Sequence, residues 1–365
     1  MGNNIGKLFT VTSFGESHGK CIGMLVDGCP AGLPLSIEDI QVEVDKRRPD
    51  VAAGGTGRKE GDQVEVFSGL LNGYTTGAPL CMLIWNRDTD PGAYEYMQYM
   101  PRPGHADYAA HVKYGGFNDF RGGGRFSGRI TAGFVMAGAV ARKLLGSIGI
   151  EVIAHTIQIG SVQASRLSTL EIMHRVWDNT VRCADHDAAV KMIKQIDKVK
   201  AEGDSLGGIV EAMALHVPAG LGEPVFDTLE GDLAKAFFAI PAVKGVEFGA
   251  GFSAAFMKGS ENNDKYITEN GKITTATNNA GGISGGISNG MPITARIAFK
   301  PTPSISRVQR TVELKKMAEV ELAIKGRHDT CVVPRAVPVV EAMMAITLCD
   351  FAIRAGLIKE VLKWT

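Results

Sequence analysis

The sequence predicts an α+β protein in which antiparallel sheets pack on helices, within one large domain over residues 1–365. Apolar segments early in the chain come in hairpin-like pairs, such as residues 7–12 with residues 21–26, and such pairs favour antiparallel sheets. Strand and helix patterns do not alternate as the βαβ units of a parallel sheet require. The length alone allows one or two domains, but no low-complexity linker divides the chain, so we predict one.

Short apolar stretches with alternating polarity predict the strands. Those stretches are residues 7–12, 21–26, 64–67, 80–85, 152–159, 208–217 and 293–299. Capping signals predict where helices begin: Ser36 and Asp39 have the spacing of a capping box, and Ser168 with Glu171 forms a full one. The predicted helices run from Ser36 to Pro49, from Thr131 to about Leu145, from Ser168 onwards, over residues 187–202 and 229–240, and over residues 339–355 with Pro338 in the first turn.

The charge composition excludes an overall attraction to nucleic acid or to an anionic membrane. Lys and Arg together number 39, as do Asp and Glu, so any anion site must come from local clustering. We see no apolar run close to the roughly 20 residues that span a bilayer. The first residues lack the pattern of a secretory signal. We therefore expect a cytoplasmic protein with no membrane and no nucleic-acid partner.

Cysteine and glycine usage gives two further indications. The six cysteines are scattered and form no Cys-x-x-Cys pair, which predicts buried reduced thiols and no metal site. Glycine is abundant, with 45 residues, and it is concentrated in a few tracts. Such tracts are typical of loops whose backbone approaches a ligand closely.

Two basic or titratable segments lie in the first part of the chain. The polar loop of residues 12–19 carries Ser17 and His18 between two apolar strands. His18 is suited to donate a proton because its ordinary pKa is near 6.5, although a hairpin turn with a backbone-capping histidine explains it equally well. Arg47 and Arg48 end a predicted helix, either as an anion clamp or simply as cations favoured by the helix dipole.

The next segment combines arginines with a run of glycines. Arg102 and His105 belong to the stretch Arg-Pro-Gly-His-Ala-Asp, and residues 121–129 read Arg-Gly-Gly-Gly-Arg-Phe-Ser-Gly-Arg. The glycines leave backbone N–H groups accessible, and a predicted helix begins directly afterwards, so we favour a phosphate or flavin contact. A single RGG-type nucleic-acid motif is the alternative.

Three segments near the C-terminal end complete the set of candidates. Residues 278–290 repeat Gly-Gly-Ile-Ser in tandem, either as stacked tight turns or as a ligand loop. Residues 300–304, Lys-Pro-Thr-Pro-Ser, form a basic, hydroxyl-bearing turn suited to a phosphate or a flavin edge. Asp329 lies among cations that include Arg335, which makes it either a base or a salt-bridge partner.

Together these segments resemble the chorismate synthase family. The motifs are GESHG, RRP, RPGHAD, the RGGGR stretch, NNAGGISGGISNG, KPTPS, and KGRHD followed shortly by a cysteine. They occur here in that family's order and spacing from residue 5 to about residue 355. A single GESHG would carry little weight, whereas seven ordered matches over nearly the whole chain are highly specific.

The resemblance implies an enzyme that holds reduced FMN against 5-enolpyruvylshikimate 3-phosphate and forms chorismate by a 1,4-anti elimination, the last common step of the shikimate pathway to aromatic amino acids. The C3 phosphate leaves and a C6 hydrogen is lost. The implied fold is one large domain with long helices sandwiched between two antiparallel four-stranded sheets, usually assembled as a homotetramer. NADPH is a candidate reductant, and a separate flavin reductase is the alternative source of reduced flavin.

The resemblance also implies residue roles. His18 protonates the departing phosphate, His105 stabilises the protonation state of the flavin, and Asp329 works with flavin N5 in removing the C6 proton. Substrate contacts are implied for Ser17, Arg47, Arg48, Arg102, Arg129, Arg327 and Arg335. Cofactor contacts are implied for Arg47, Arg125, Phe126, Ser127, Ala242, Gly285, Lys300, Pro301, Thr302, Pro303, Ser304 and Arg327.

The chain departs from the family pattern at three places. Ala53 lies near the position where many members have an arginine after RRP, Phe126 replaces a serine, and Pro241 replaces an asparagine. None of these is one of the implied catalytic residues. The rival interpretations are a flavin oxidoreductase with net hydride transfer, which would consume reductant stoichiometrically, and a non-enzymatic phosphate or RNA binder, which would need neither His18 nor Asp329.

Overall fold

Helices α3 (Thr131–Gly146) and α8 (Val333–Arg354) pack against each other between two antiparallel sheets. The computed structural model describes residues 2–48, 54–55, 61–87, 96–269, 271–324 and 328–362. Helix α3 contacts the first sheet, and α8 contacts the second. This arrangement confirms the expected sandwich of long helices between antiparallel sheets.

Each sheet has four strands of five residues or more and a two-residue strand at one edge, within the described parts of the chain. In spatial order, the first sheet contains β1 (Asn4–Ile5), β2 (Thr10–Gly15), β3 (Cys21–Asp27), β7 (Leu80–Trp85) and β4 (Val64–Ser68). The second contains β11 (Val243–Phe248), β16 (Ile293–Phe299), β10 (Gly208–Leu215), β8 (Glu151–Ile159) and β9 (Val162–Gln163).

The remaining elements lie around this sandwich. The further helices are α1 (Ile37–Lys46), α2 (Asp107–Lys113), α4 (Thr169–Arg175), α5 (His186–Ala201), α6 (Leu229–Phe238) and α7 (Gly259–Asn262). Short antiparallel pairs join β5 (Leu70–Leu71) with β6 (Tyr74–Thr75), β12 (Tyr266–Glu269) with β13 (Lys272–Thr275), β14 (Ile283–Ser284) with β15 (Ile287–Ser288), and β17 (Gln309–Glu313) with β18 (Ala318–Leu322).

Alternating burial explains why the strands face the helices. Along β16, Ile293, Ala295, Ile297 and Phe299 are buried, while the residues between them are half-buried. A strand with this period of two presents one apolar face to a core. Strands β7 and β16 have the bounds that the sequence predicts. The capping boxes at Ser36 and Ser168 also form as predicted.

The predicted start of the last helix is wrong. The sequence places Pro338 in the first turn, whereas α8 begins at Val333 and contains Pro338 in its interior. Pro334 instead takes the first turn, where a missing N–H costs no intrahelical hydrogen bond. The 22-residue α8 is long and apolar enough to cross a membrane, but 94% of its most apolar window is buried inside the protein. Its hydropathy therefore reflects its place in the core.

The first long strand is displaced by a contact with α8. The sequence predicts a strand over residues 7–12, yet β2 begins at Thr10. The backbone N–H groups of Lys7, Leu8 and Phe9 all donate to Asp350 Oδ1, at 2.9, 2.7 and 2.9 Å. Because these three donors converge on one buried carboxylate, they do not take part in a strand ladder.

The contact between α3 and α8 depends on Gly138. A Cβ atom at this position would lie 2.2 Å from the Cβ of Ala342 in α8, well inside the normal contact distance.

We therefore expect Gly138→Ala to lower the melting temperature, since overpacking a core costs about 1–3 kcal/mol. Gly146→Ala, at the end of the same helix, is the matched control, because a Cβ there meets nothing within 4 Å. Thermal unfolding followed by circular dichroism compares the two. Equal melting temperatures for both variants would contradict this account of the helix contact.

Candidate active site

A cavity of about 750 Å³ lies at the ends of α3 and α8 where these helices begin. Thr131 of α3 and Arg335 of α8 line it, together with loops from both sheets. Its other polar or charged lining residues include Ser17, His18, Arg47, Asp62, Arg102, His105, Arg125, Ser127, Arg129, Lys244, Lys300, Thr302, Ser304, His328 and Asp329. Helix beginnings carry partial positive charge and accessible N–H groups, so this location favours anions.

His18 and His105 are brought to one glycine turn. His18 belongs to the turn between β2 and β3, and His105 precedes α2. A Cβ at Gly122 would lie 2.1 Å from His18 Nδ1, and one at Gly123 would lie 3.1 Å from His105 Cε1. Both glycines have positive φ. Only glycine therefore allows this backbone to pass between the two imidazole rings.

His105 is held by Arg102 and Asp107. Its Nδ1 lies 2.6 Å from Asp107 Oδ1, and Arg102 Nε and Nη2 donate to the two oxygens of the same carboxylate at 2.7 and 2.8 Å. Burial lowers the pKa of His105, although the hydrogen bond to Asp107 opposes this shift. Burial alone would raise the pKa of Asp107, but hydrogen bonds from Arg102 and His105 hold it below its usual range.

These shifts predict the protonation state of the pair near neutral pH. His105 is neutral there, because its pKa lies below the ordinary value of about 6.5. Its Nδ1–H donates to the ionised Asp107, which leaves Nε2 as the acceptor nitrogen.

A second cluster buries two arginines around one carboxylate. Arg47, Arg129 and Asp62 are only 2, 7 and 4% exposed. Arg129 Nη1 donates to Asp62 Oδ1 at 2.5 Å, and Arg47 Nη1 lies 3.8 Å from Asp62 Oδ2. Burial, reinforced by the nearby Arg335, lowers the pKa of Arg47 to about 9. The cluster thus carries one more positive charge than its carboxylate neutralises.

Asp329 occupies the other side of this arginine cluster. Arg335 Nη1 donates to Asp329 Oδ2 at 2.6 Å, and Arg335 Nε donates to the Arg47 carbonyl at 3.4 Å. Thr302 Oγ1 donates to the Asp329 backbone carbonyl at 2.7 Å. The Lys-Pro-Thr-Pro-Ser turn, the carboxylate and the arginines are therefore one connected unit. The salt bridge that the sequence left as an alternative is present.

Comparisons with known proteins agree on one family. The profile of the chorismate synthase family matches residues 9–353. The chain is 58% identical to the chorismate synthase of Dehalococcoides mccartyi over all of both chains. It is 54% identical to that of Korarchaeum cryptofilum, covering 97% of this chain and 99% of the relative. The chain belongs to the chorismate synthase family.

A solved structure supports the same assignment. A crystal structure of chorismate synthase superposes with a TM-score of 0.76 at 31% identity, over 96% of this chain and 93% of the other. The chain is thus a carbon–oxygen lyase with chorismate synthase function, within aromatic biosynthesis.

Most of the residues implied by the family motifs line the cavity. Those that do are His18, His105, Asp329, Ser17, Arg47, Arg102, Arg129, Arg335, Arg125, Phe126, Ser127, Ala242, Lys300, Thr302, Pro303 and Ser304. Arg48 does not line it, because it points to Asp45 at 2.8 Å and to the Gly61 carbonyl. Pro301 is also absent from the lining, and Gly285 is exposed between β14 and β15. Arg327 and Ala53 lie outside the described residues.

Sequence motifs of the chorismate synthase family did not point to Asp62. It lies between Arg47 and Arg129 in the sequence, far from the second, and belongs to none of the seven motifs, so only the folded chain brings it beside both arginines. Lys244 was missed for the same reason. His328, in contrast, lies inside the KGRHD motif directly before Asp329, so its signal was local. Asp107 did have a local signal, since it ends the RPGHAD motif two residues after His105.

Replacing Asp107 by Asn should lower the pKa of His105 further, because the carboxylate is what opposes the effect of burial. A pH titration of the histidine ring signals by NMR measures this shift. Since the folded pKa already lies below the unfolded value of about 6.5, the folded state should also lose more stability as the pH falls through that window.

The Asp204→Asn variant is the control for this titration. Asp204 also pairs with an arginine, Arg307 at 3.0 Å, but it does not line the cavity. An upward or absent shift of the His105 titration in Asp107→Asn would contradict the proposed arrangement.

Proposed function

We propose that the cavity binds reduced FMN beside 5-enolpyruvylshikimate 3-phosphate and that its side chains catalyse the 1,4-anti elimination that yields chorismate. The observation that carries this proposal is the meeting of His18, His105 and Asp329 in one arginine-lined cavity. The reaction breaks the C3–O bond, so that phosphate leaves with the electron pair. It also removes one hydrogen from C6.

The volume and the lining chemistry of the cavity support the binding of a flavin mononucleotide. Its volume of about 750 Å³ lies in the upper part of the usual range of roughly 300–1,000 Å³. Phe126, Ala242 and Pro303 offer apolar or backbone surface for a ring, and Ser127, Lys300, Thr302 and Ser304 offer donors for a phosphate. Reduced FMN, when bound, supplies electron density to the substrate.

The departures from the family pattern are compatible with this fit. Ala242 follows Pro241 with a φ of 73°, and its carbonyl accepts a hydrogen bond from Lys300 N at 2.9 Å. The backbone at this position is therefore fixed against the Lys-Pro-Thr-Pro-Ser turn without an asparagine side chain. Phe126 is 37% exposed and leaves a ring face for a ligand.

The buried arginines are suited to hold the substrate anions. Arg47 Nη1 is buried and has no hydrogen-bond partner within the described residues, while its Nε and Nη2 donate to Thr131 Oγ1 and the Gly128 carbonyl at 2.8 and 2.7 Å. The guanidinium is thus fixed in place with one nitrogen left for an anion. Carboxylates and phosphate match such rigid donors.

His18 and Asp329 are suited to the two proton transfers. We propose that His18 donates a proton to the departing phosphate. Asp329 accepts the proton from C6. His105, neutral and held by Asp107, lines the cavity, and its Nε2 lies 3.3 Å from Arg102 Nη2. The pair His105–Asp107 fixes one tautomer, which a positioned histidine requires.

We propose a cytoplasmic homotetramer, as the family pattern implies. Its flavin is reduced either by NADPH on the protein or by a separate reductase. Ala53 lies near the position where many members have an arginine. Reduction by NADPH on the protein therefore has to be tested against reduction by a separate reductase.

An anaerobic assay tests the function. Purified protein with dithionite-reduced FMN and 5-enolpyruvylshikimate 3-phosphate should release chorismate and phosphate in equal amounts, with many turnovers for each reduced flavin. Oxidised FMN is the control, and NADPH with oxidised FMN tests the reductase question. Product formation that consumes one reductant for each turnover would instead establish a flavin oxidoreductase.

Asp329→Asn should lower kcat by about 100-fold or more, as expected for the loss of a positioned base, while FMN and substrate binding stay near normal. Single-turnover kinetics and calorimetric binding measure the two effects separately. Asp204→Asn again provides the matched control, since it also removes one carboxylate from an arginine pair. Near-normal turnover of Asp329→Asn would remove this residue from the mechanism.

A further inference from the structure

Asn86 connects two parts of the site without lining the cavity. It directly follows β7, at the end of that strand which lies beside the start of β3 and the His18 turn. We propose that Asn86 is a positioning residue that fixes the His18 turn and the Arg129 guanidinium relative to each other. This inference rests on the roles proposed above for His18 and Arg129.

The contacts of Asn86 reach both groups at once. Its Nδ2 donates to the carbonyl oxygens of Glu16 and Gly19, each at 2.9 Å. Its Oδ1 accepts from Arg129 Nε at 3.1 Å. These two carbonyls flank His18 in the sequence, so one amide group spans the turn that carries the imidazole and the side chain of the arginine.

The backbone of Asn86 adds a third attachment. Its N–H donates to the Lys20 carbonyl at 3.0 Å, which lies directly after the same turn. The turn is therefore held from Glu16 to Lys20 by one residue. Within the same turn, Ser17 N donates to the Gly124 carbonyl at 3.3 Å.

Only an amide in this orientation satisfies all three side-chain contacts. An amide offers two N–H donors on one side and an acceptor oxygen on the other. Here the donors meet two carbonyl oxygens, and the acceptor meets a guanidinium N–H. A rotation by 180° would place oxygen against oxygen and N–H against N–H, so the surroundings determine the assignment.

Arg129 has a second fixed contact that makes the coupling stiff. Asp62 Oδ1 accepts from Arg129 Nη1 at 2.5 Å, while Asn86 Oδ1 accepts from Nε. Two acceptors at different nitrogens define the plane of the guanidinium. Because Asn86 also holds the His18 turn, the position of the proton donor is tied to the position of the anion-binding arginine.

The coupling between the His18 turn and Arg129 matters for an elimination in which the leaving phosphate is protonated while the substrate anions stay bound. His18 and Arg129 must both be placed correctly for one substrate at the same moment. A displacement of about 1 Å at a reacting group can cost about 100-fold in rate. Asn86 should therefore affect catalysis through geometry, although it contacts no reacting atom.

Two substitutions separate the halves of this contact. Asn86→Asp keeps an acceptor for Arg129 but places a carboxylate oxygen against the carbonyls of Glu16 and Gly19. Asn86→Ala removes both halves. Asn179→Ala is the matched control, because Asn179 also makes two hydrogen bonds to backbone, with Cys183 at 2.6 and 3.2 Å, and does not line the cavity.

In the anaerobic assay, Asn86→Asp should lower kcat by about 10–100-fold with a smaller rise in KM. Asn86→Ala should lower kcat and also raise KM, since the Arg129 guanidinium loses the hydrogen bond from Nε that orients it. In the ligand-free protein, hydrogen exchange of residues 16–20 should be faster in both variants. Asn179→Ala should leave kcat, KM and exchange of this turn within about twofold of the wild type.

The outcomes distinguish this inference from the proposed function. If wild-type protein forms no chorismate, the proposed function fails, and the hydrogen-exchange comparison still tests Asn86. If wild-type protein is active but both Asn86 variants keep kcat and KM, or lose activity only in proportion to their folded fraction, the positioning role is overturned. Unchanged exchange of residues 16–20 would overturn it as well.

Discussion

The close packing of α3 against α8 is the constraint on which the site depends. With glycine at position 138, the two helices approach so closely that an added Cβ would overlap Ala342. Their first turns then open onto the same cavity, with Thr131 from one helix and Arg335 from the other. The two sheets cover this pair from opposite sides, and their loops supply the remaining groups. A change in the crossing of these helices would separate the arginines from His18, His105 and Asp329.

Electrostatic compensation sets the second condition. Burying Arg47 and Arg129 costs several kcal/mol for each ion unless partners offset it, and Asp62 supplies one such partner for both. The compensation is incomplete, because one carboxylate faces two guanidinium groups. An anionic ligand would complete it, so the same imbalance that costs stability also favours the binding of an anion. Asp329 and Arg335 extend this network to α8.

The sequence predicted those features whose signals are local. Strands β7 and β16 and both capping boxes follow from alternation or cap spacing, and most of the residues implied by the family motifs do line the cavity. Asp62 could not be predicted, because its role arises from distant parts of the chain meeting in space. The strand over residues 7–12 was misplaced because Asp350, 343 residues after Lys7, attracts the N–H groups that the pattern assigns to a ladder. The start of α8 was predicted too late because Pro338 was assigned to the first turn, which Pro334 occupies instead.

The contact between residues 7–9 and Asp350 has a consequence for biosynthesis. Ribosomes add about 5–20 residues each second. Asp350 is made 343 residues after Lys7, so it is synthesised roughly 20–70 seconds later. Helix α8, which fills the space between the sheets, emerges over the same final interval. During translation the face of the second sheet that α8 covers in the folded protein therefore stays exposed until the end of synthesis, and transiently exposed apolar surface of this kind favours aggregation.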